Sequence, residues 1–249
     1  MIDGVRRVYG LLRSAGIYRA NPVFRRRAHA FYAGFVRPGD LCFDIGAHMG
    51  DRVAVFLSLG ARVVAVEPQP DFQRILRAQF GRNPRAVLEA GAVGAHAGTA
   101  ELRINRRHPT LSTLSADWIA AVGRDASFPT TGWNERLMVT VTTLDALIAE
   151  HGVPAFCKID VEGFEQQVLA GLSRPLPCLS FEYIAVTRDM AVACIDRLEQ
   201  LGKYRFNVSP GESKRLLFDA WIGRDALVDW LAGLRPGDGS GDVYARLDW

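Results

Sequence analysis

Residues 158 to 165 read KIDVEGFE, three carboxylates and a lysine within eight positions. The apolar approach Val153-Pro154-Ala155-Phe156-Cys157 leads directly into them. Charge taken out of water is costly unless it is paired or used, so acids that end a hydrophobic strand point to a binding or catalytic cleft. Side chains alternate across a strand, which sets Lys158 and Asp160 on one face and Ile159 on the other. Lys158 is unusual here, because the 30 basic residues include only two other lysines, Lys203 and Lys214. Its candidate partners are Asp160 and Glu182. Glu162 and Glu165 fall where the next helix should begin, and acids in a first turn favour the helix dipole. Glu165 is therefore assigned mainly to that helix, and Asp160, at the strand end, to the site. Asp160, Glu162 and Glu182 would also suit a divalent metal as oxygen donors. Spacing alone does not make a metal site, and no metal is expected.

A second group of residues sits earlier in the chain, in LCFDIGAHMG at positions 41 to 50. Asp44 ends a short apolar run, and Gly46 and Gly50 line the turn into a helix. Open α/β sheets bind ligands at the carboxyl ends of their strands, near this first turn. Glu67 ends the next apolar run, where an acid commonly grips a ribose diol. A dinucleotide fingerprint would read G-x-G-x-x-G, whereas this turn reads D-x-G-x-x-x-G. Asp44 would repel a pyrophosphate, which disfavours a nicotinamide-dependent oxidoreductase. S-adenosylmethionine, with a sulfonium, an ammonium and one carboxylate, is net cationic at its reactive end and suits an acid there.

The elements that must hold these residues follow a strand-helix rhythm from Pro38-Gly39 onward. Extended stretches are expected at 41–43, 61–66, 86–93, 139–143, 155–159, 178–183, 204–208 and 243–247. Helices are expected at 53–59, 71–80, 144–150, 163–172, 189–201 and 224–234. That alternation means βαβ units and a parallel sheet covered on both faces. Residues 1 to 37 suggest an N-terminal segment of two helices broken near Asn21-Pro22, with Arg25-Arg26-Arg27 on a solvated face. Residues 105 to 137 interrupt the rhythm with Pro109, Pro129 and Thr130-Thr131-Gly132. A long irregular stretch inside a compact domain is usually functional, and a lid is expected there.

Composition is ordinary for a globular protein: 249 residues, 49% apolar, 23% charged, net charge +3. The basic residues are scattered and no aromatic-basic groove is visible, so no nucleic-acid partner is expected. Cys42, Cys157, Cys178 and Cys194 lie singly among apolar neighbours, without metal or disulfide spacing. No signal peptide or membrane span is legible, and a cytoplasmic location is expected.

DIGAHMG, VEPQP, KIDVEGFE and SFEY together resemble the FkbM family of S-adenosylmethionine-dependent methyltransferases, over about residues 38 to 201. GDVYA at 241 to 245 is a weaker echo. The resemblance implies an α/β, Rossmann-like class I methyltransferase fold whose seven-stranded sheet ends in an antiparallel strand. It implies methyl transfer to a hydroxyl of a sugar, glycan, polyketide or related small molecule. By the same resemblance, Asp44, Gly46, Ala47 and Gly50 would hold the methionine part of S-adenosylmethionine. Glu67 and Pro68 would lie at the ribose and Gly91 and Ala92 near adenine. Asp160 would face the ammonium or the reacting centre. His48 stands where the family more often has asparagine, and is expected to hydrogen-bond the cofactor. An alcohol needs a base in the transition state, for which the candidates are Asp160, Glu162, Glu182, His48 and His108, with Lys158 beside them as a further catalytic candidate. A nucleic-acid methyltransferase is the remaining alternative.

Overall fold

The computed structural model describes residues 22–124 and 132–248. Its main sheet is built from strands β1 (Leu41–Ile45), β2 (Arg62–Glu67), β3 (Ala86–Ala90), β7 (Phe156–Ile159), β8 (Cys178–Ile184), β9 (Tyr204–Pro210) and β10 (Ser240–Leu247). Their order across the sheet is β3-β2-β1-β7-β8-β10-β9. β1, β2, β3, β7 and β8 run parallel, and β10 is antiparallel to both its neighbours. The strand order reverses between β1 and β7, so the carboxyl ends of these two strands open the ligand crevice.

Helices cover both faces, and the alternation of each strand feeds both cores. Phe43 and Ile45 point into one core with Val168, Ile195 and Leu227. These last residues come from α6 (Glu165–Ala170), α7 (Arg188–Leu201) and α8 (Arg224–Ala232). Cys42, Val63 and Ala65 point into the other core, against α1 (Pro22–Tyr32), α2 (Asp51–Ser58) and α3 (Pro70–Phe80). Tyr32 anchors α1: it is fully buried, edge-on to Phe56 and Phe156. Arg25, Arg26 and Arg27 are exposed, as a solvated face requires. The expected first helix lies outside the described residues.

Two expectations change. Residues 86–93 are not one strand: at Gly91 the chain leaves the main sheet, and β4 (Ala92–Val93) joins a second, three-stranded sheet ordered β4-β6-β5. In that sheet β5 (Gly98–Ile104) pairs antiparallel with β6 (Glu135–Thr142). Nor are the described parts of 105–137 irregular throughout. They hold a 3-10 turn at Pro109–Leu111, the helix α4 (Ala116–Val122) and the start of β6. Ser115 caps α4 by accepting from the Trp118 N–H, and the Trp118 side chain is fully buried. Residues 125–131 of the expected lid lie outside the described residues. The remaining helix, α5 (Leu144–His151), precedes β7 and is capped by Thr143.

One ion pair crosses the sheet beneath the crevice. Lys158 on β7 is 1% exposed and donates to Asp242 of β10 at 2.8 Å, with Asp160 at 3.1 Å. Burial raises the Asp242 carboxyl, but Lys158, Lys214 and Arg52 outweigh it and hold the group down at about 2. Breaking a buried pair by removing one partner costs roughly 3–5 kcal/mol. Urea unfolding of Asp242→Ala should show a loss of that size, and a loss under about 1 kcal/mol would contradict it. The folded carboxyl titrates below its ordinary 3.8, so this contribution is present above that pH and is lost as pH falls through about 2.

Candidate active site

Three strand ends are tied together by backbone groups before any functional side chain is considered. The Asp160 N–H donates to the Ile45 carbonyl at 2.9 Å, laying the turn after β7 against the turn after β1. Gly46 has φ +84°, and a side chain there would run into the Asp160 carbonyl. Only glycine meets both conditions. The N–H groups of Gly46 and Ala47 donate to Val66 of β2 at 2.9 and 3.0 Å. Glu67, 3% exposed, completes the joint: its carboxylate accepts from the His48 and Gln69 N–H groups, each at 2.8 Å. Gly50 serves packing instead, since an added Cβ would meet Leu76 and Phe80 of α3.

The KIDVEGFE turn is held from above. Glu162 has φ +56°, and its carbonyl accepts from the Thr113 hydroxyl at 2.6 Å. At Gly163, φ +83°, a side chain would enter the Trp118 ring. The Glu165 carboxylate accepts from the Val161 N–H at 3.0 Å and is 4% exposed. It holds the turn and the start of α6, as expected of it, but as a buried group rather than a surface acid.

Over these joints lie two connected chambers. The first is walled by Val66, Glu67, Pro68, Gly91, Ala92 and Phe164 among others. The second is walled by Asp44, Asp160, Glu162, Glu182, Arg52 and Glu212 among others. Gly46, His48, Thr110, Asp160 and Glu162 border both and form the neck between them. Gln69 fastens the roof, donating to the Pro109 carbonyl at 3.1 Å and accepting from the Ser112 hydroxyl at 3.3 Å.

The chambers differ in charge. Burial pushes the Asp44 carboxyl up to about 7, offset in part by Arg52 and Lys158. Burial likewise lifts Glu67 to about 7, against the pull of its two N–H donors. Glu162 and Glu182 are raised well above the carboxylate range, first by burial and then by the acids around them. His48 is depressed to about 3 by burial, so its ring is neutral, and it lies 3.8 Å from the Phe72 ring. Asp44 Oδ2 and His48 Nε2 have no hydrogen-bond partner among the described residues. An acidic chamber joined to a more apolar one suits a ligand with a cationic end and a planar, largely uncharged end.

Of the residues expected from sequence, Asp44, Gly46, Ala47, His48, Glu67, Pro68, Gly91, Ala92, Asp160, Glu162 and Glu182 all reach a chamber wall. Gly50 and Lys158 do not line either chamber; Lys158 sits below Asp160, and its partners are Asp160 and Asp242 rather than Glu182.

Residues 44–193 match the family model described as the methyltransferase FkbM domain. The chain belongs to the FkbM methyltransferase family. That family is one of S-adenosylmethionine-dependent methyltransferases. The chain is 30% identical over 175 residues to the 31-O-demethyl-FK506 methyltransferase FkbM of Streptomyces tacrolimicus, covering 60% of this chain and 66% of that protein. A shorter stretch of 56 residues is 45% identical to ribosomal RNA small subunit methyltransferase A of Anaeromyxobacter dehalogenans. That stretch is 22% of this chain and 19% of the relative. The fold is similar to that of a TehB-like SAM-dependent methyltransferase from Corynebacterium glutamicum. There the TM-score is 0.52 at 11% identity, over 98% of this chain and 99% of that one.

Sequence reasoning missed Asp242, Arg52, Glu212, Gln69 and Thr113. Asp242 lay within the GDVYA echo of the FkbM pattern, which was the available signal. The others carry no local pattern. Because Gly46 is set by backbone contact, Gly46→Ala should cost more than about 1 kcal/mol in urea unfolding. It should also separate the β1 and β7 turns, and an unchanged stability would contradict the joint described.

Proposed function

We propose that this enzyme methylates a hydroxyl oxygen of a small-molecule or glycan acceptor, using the two chambers for the two substrates. The observation that carries the proposal is the shared neck at Gly46, His48 and Asp160 between an apolar and an acidic chamber. S-adenosylmethionine, when bound, supplies an electrophilic methyl carbon, which bonds to oxygen as its bond to sulfur breaks and the electron pair stays on sulfur. Asp44 fits that cofactor on its own evidence, being 2% exposed with an unpartnered carboxylate oxygen.

The chain's residues take up separate tasks in this scheme. Glu67 offers its remaining lone pairs to the ribose hydroxyls, while Pro68, Gly91 and Ala92 wall the base. Asp160, next to the Lys158 ammonium, holds a carboxylate for the cationic end. The Glu162–Glu182 pair faces the acceptor and takes the hydroxyl proton, which an alcohol must lose as the methyl arrives. Residues Thr110 to Leu114 roof the chambers and exclude water, which is the work of the expected lid. Holding the oxygen in line with the methyl carbon supplies much of the rate.

The name of the Streptomyces relative supports oxygen as the acceptor atom, and the 56-residue likeness to a ribosomal RNA enzyme names the competing acceptor. The described cysteines are free and buried, which fits a reducing cytoplasm. Among the described residues no helix is long and apolar enough to cross a membrane.

Two measurements test the proposal. Calorimetry with S-adenosylhomocysteine should show Asp160→Asn weakened about ten- to a hundred-fold, the loss of one charge-assisted bond. Mass spectrometry of sugars, nucleotide-linked sugars, lipid-linked glycans and polyketides incubated with enzyme and cofactor should reveal a methylated hydroxyl in one class. Methylation of RNA alone, or full cofactor affinity in Asp160→Asn, would overturn it.

A further inference from the structure

Arginine as a residue type says little in a chain with 27 arginines and three lysines, but the acids are unevenly placed against them. No acidic residue stands between Asp3 and Asp40. Residues 1 to 37 hold eight arginines and one acid, a net charge of +7. The other 212 residues hold 22 basic and 26 acidic side chains, a net charge of −4. A charge asymmetry of this kind marks a surface for an anionic partner. The described residues among these 37 line neither chamber of the cleft.

The structure sets part of that charge in place. Ala28 and Tyr32 are fully buried and fix α1 to the body, which leaves Arg25, Arg26, Arg27 and His29 exposed. None of the three arginines has an ion-pair partner among the described residues. Arg25, Arg26 and His29 line an open groove with Ala54, Val55 and Ser58 of α2, and no acid borders it. The 21 residues ahead of α1 lie outside the described residues, but their sequence continues the charge and adds an apolar pattern. Ile2, Val5, Val8, Tyr9 and Leu12 recur at helical spacing, and Arg6, Arg7 and Arg13 take other positions of the same repeat.

We infer that α1 and the basic segment ahead of it dock on an anionic lipid surface. Basic charge alone would equally suit a nucleic acid. The apolar residues spaced among the arginines favour lipid, because a bilayer interface takes an apolar stripe and a basic one together. A weak apolar anchor holds a membrane only marginally, and a basic patch supplies the second signal that makes the hold stable. Each arginine close to such a surface strengthens binding about fivefold. The guanidinium groups of Arg25, Arg26 and Arg27 meet lipid phosphates in this arrangement, and the groove beside α2 admits a headgroup. Held there, the enzyme meets acceptors carried on lipids at a higher local concentration than free ones. Only that consequence rests on the proposed acceptor chemistry; the docking itself does not.

The test sediments the full chain with vesicles of phosphatidylcholine, alone or mixed equally with phosphatidylglycerol. Wild type should bind the mixed vesicles and leave the neutral ones. Raising salt from about 0.1 M to about 1 M shortens the screening length from about 10 Å to about 3 Å and should release it. Arg25→Gln, Arg26→Gln and Arg27→Gln together should weaken binding about a hundred-fold. The same charge removed at exposed sites elsewhere, by Arg82→Gln, Arg174→Gln and Arg235→Gln, should cost less than about fivefold. Circular dichroism melts and S-adenosylhomocysteine calorimetry should match wild type in both triple variants, since none of these residues lines the cleft. No binding of wild type to the mixed vesicles overturns the inference. Equal losses in the two triple variants mean diffuse net charge and overturn it as well. Capture of single-stranded RNA in place of vesicles makes the partner a nucleic acid, which also overturns it. A wild type that binds vesicles but not S-adenosylhomocysteine sinks the methyl-transfer assignment of the cleft and leaves the docking surface standing.

Discussion

The crevice depends on one buried ammonium group. Lys158 Nζ joins two strands that are not neighbours, β7 and β10, and it does so directly under the turn that carries Asp160. An unpaired lysine at 1% exposure would be prohibitive. With Asp242 on one side and Asp160 on the other, it becomes the fixed positive charge on which an acid-lined chamber can rest. Asp242 in turn is shared with Lys214 at 3.6 Å and with the Tyr244 hydroxyl at 3.4 Å, and Tyr244 meets Tyr32 of α1 at 3.4 Å. The network therefore runs from the helix below the sheet to the cleft above it.

Above that charge, the site is built from backbone first and side chains second. Gly46 lets the β1 turn touch the β7 turn, and Glu67 spends its two oxygens on the His48 and Gln69 N–H groups. Glu67 is thus a structural clamp as well as the acid proposed for the ribose. Such double duty is efficient, because a carboxylate pinned by two N–H donors is already oriented for a third. The same economy appears at Glu162, whose carbonyl holds the roof while its side chain faces the chamber.

What was legible in the sequence is what strand ends record locally. Asp44, Glu67 and Asp160 each follow a short apolar run, and a run of that kind places its last residue at the crevice whatever the rest of the chain does. The parallel sheet followed from the same rhythm. The second sheet did not, because β5 is largely half-exposed and becomes a strand by pairing with β6, about 35 residues away. Hydrophobic periodicity carries no trace of such a pairing. Lys158 shows the same limit: its odd residue type was visible, but its partner Asp242 lies 84 positions on. The segment 105–137 looked irregular through its prolines, yet Trp118 gives it a core of its own with Val122 and Ile184. Asp160, Glu162 and Glu182 were visible as residues and invisible as a cluster, since only the β7–β8 register brings Glu182 to Asp160.

A crystal structure with S-adenosylhomocysteine bound tests the two-chamber assignment most directly. The adenine should lie against Gly91 and Ala92, with the ribose hydroxyls within about 3 Å of Glu67. The sulfur should sit at the neck by Gly46 and Asp160, with Glu162 and Glu182 on its open side. A nucleoside bound outside the first chamber, or an amino-acid end pointing away from Asp44 and Asp160, would contradict the account.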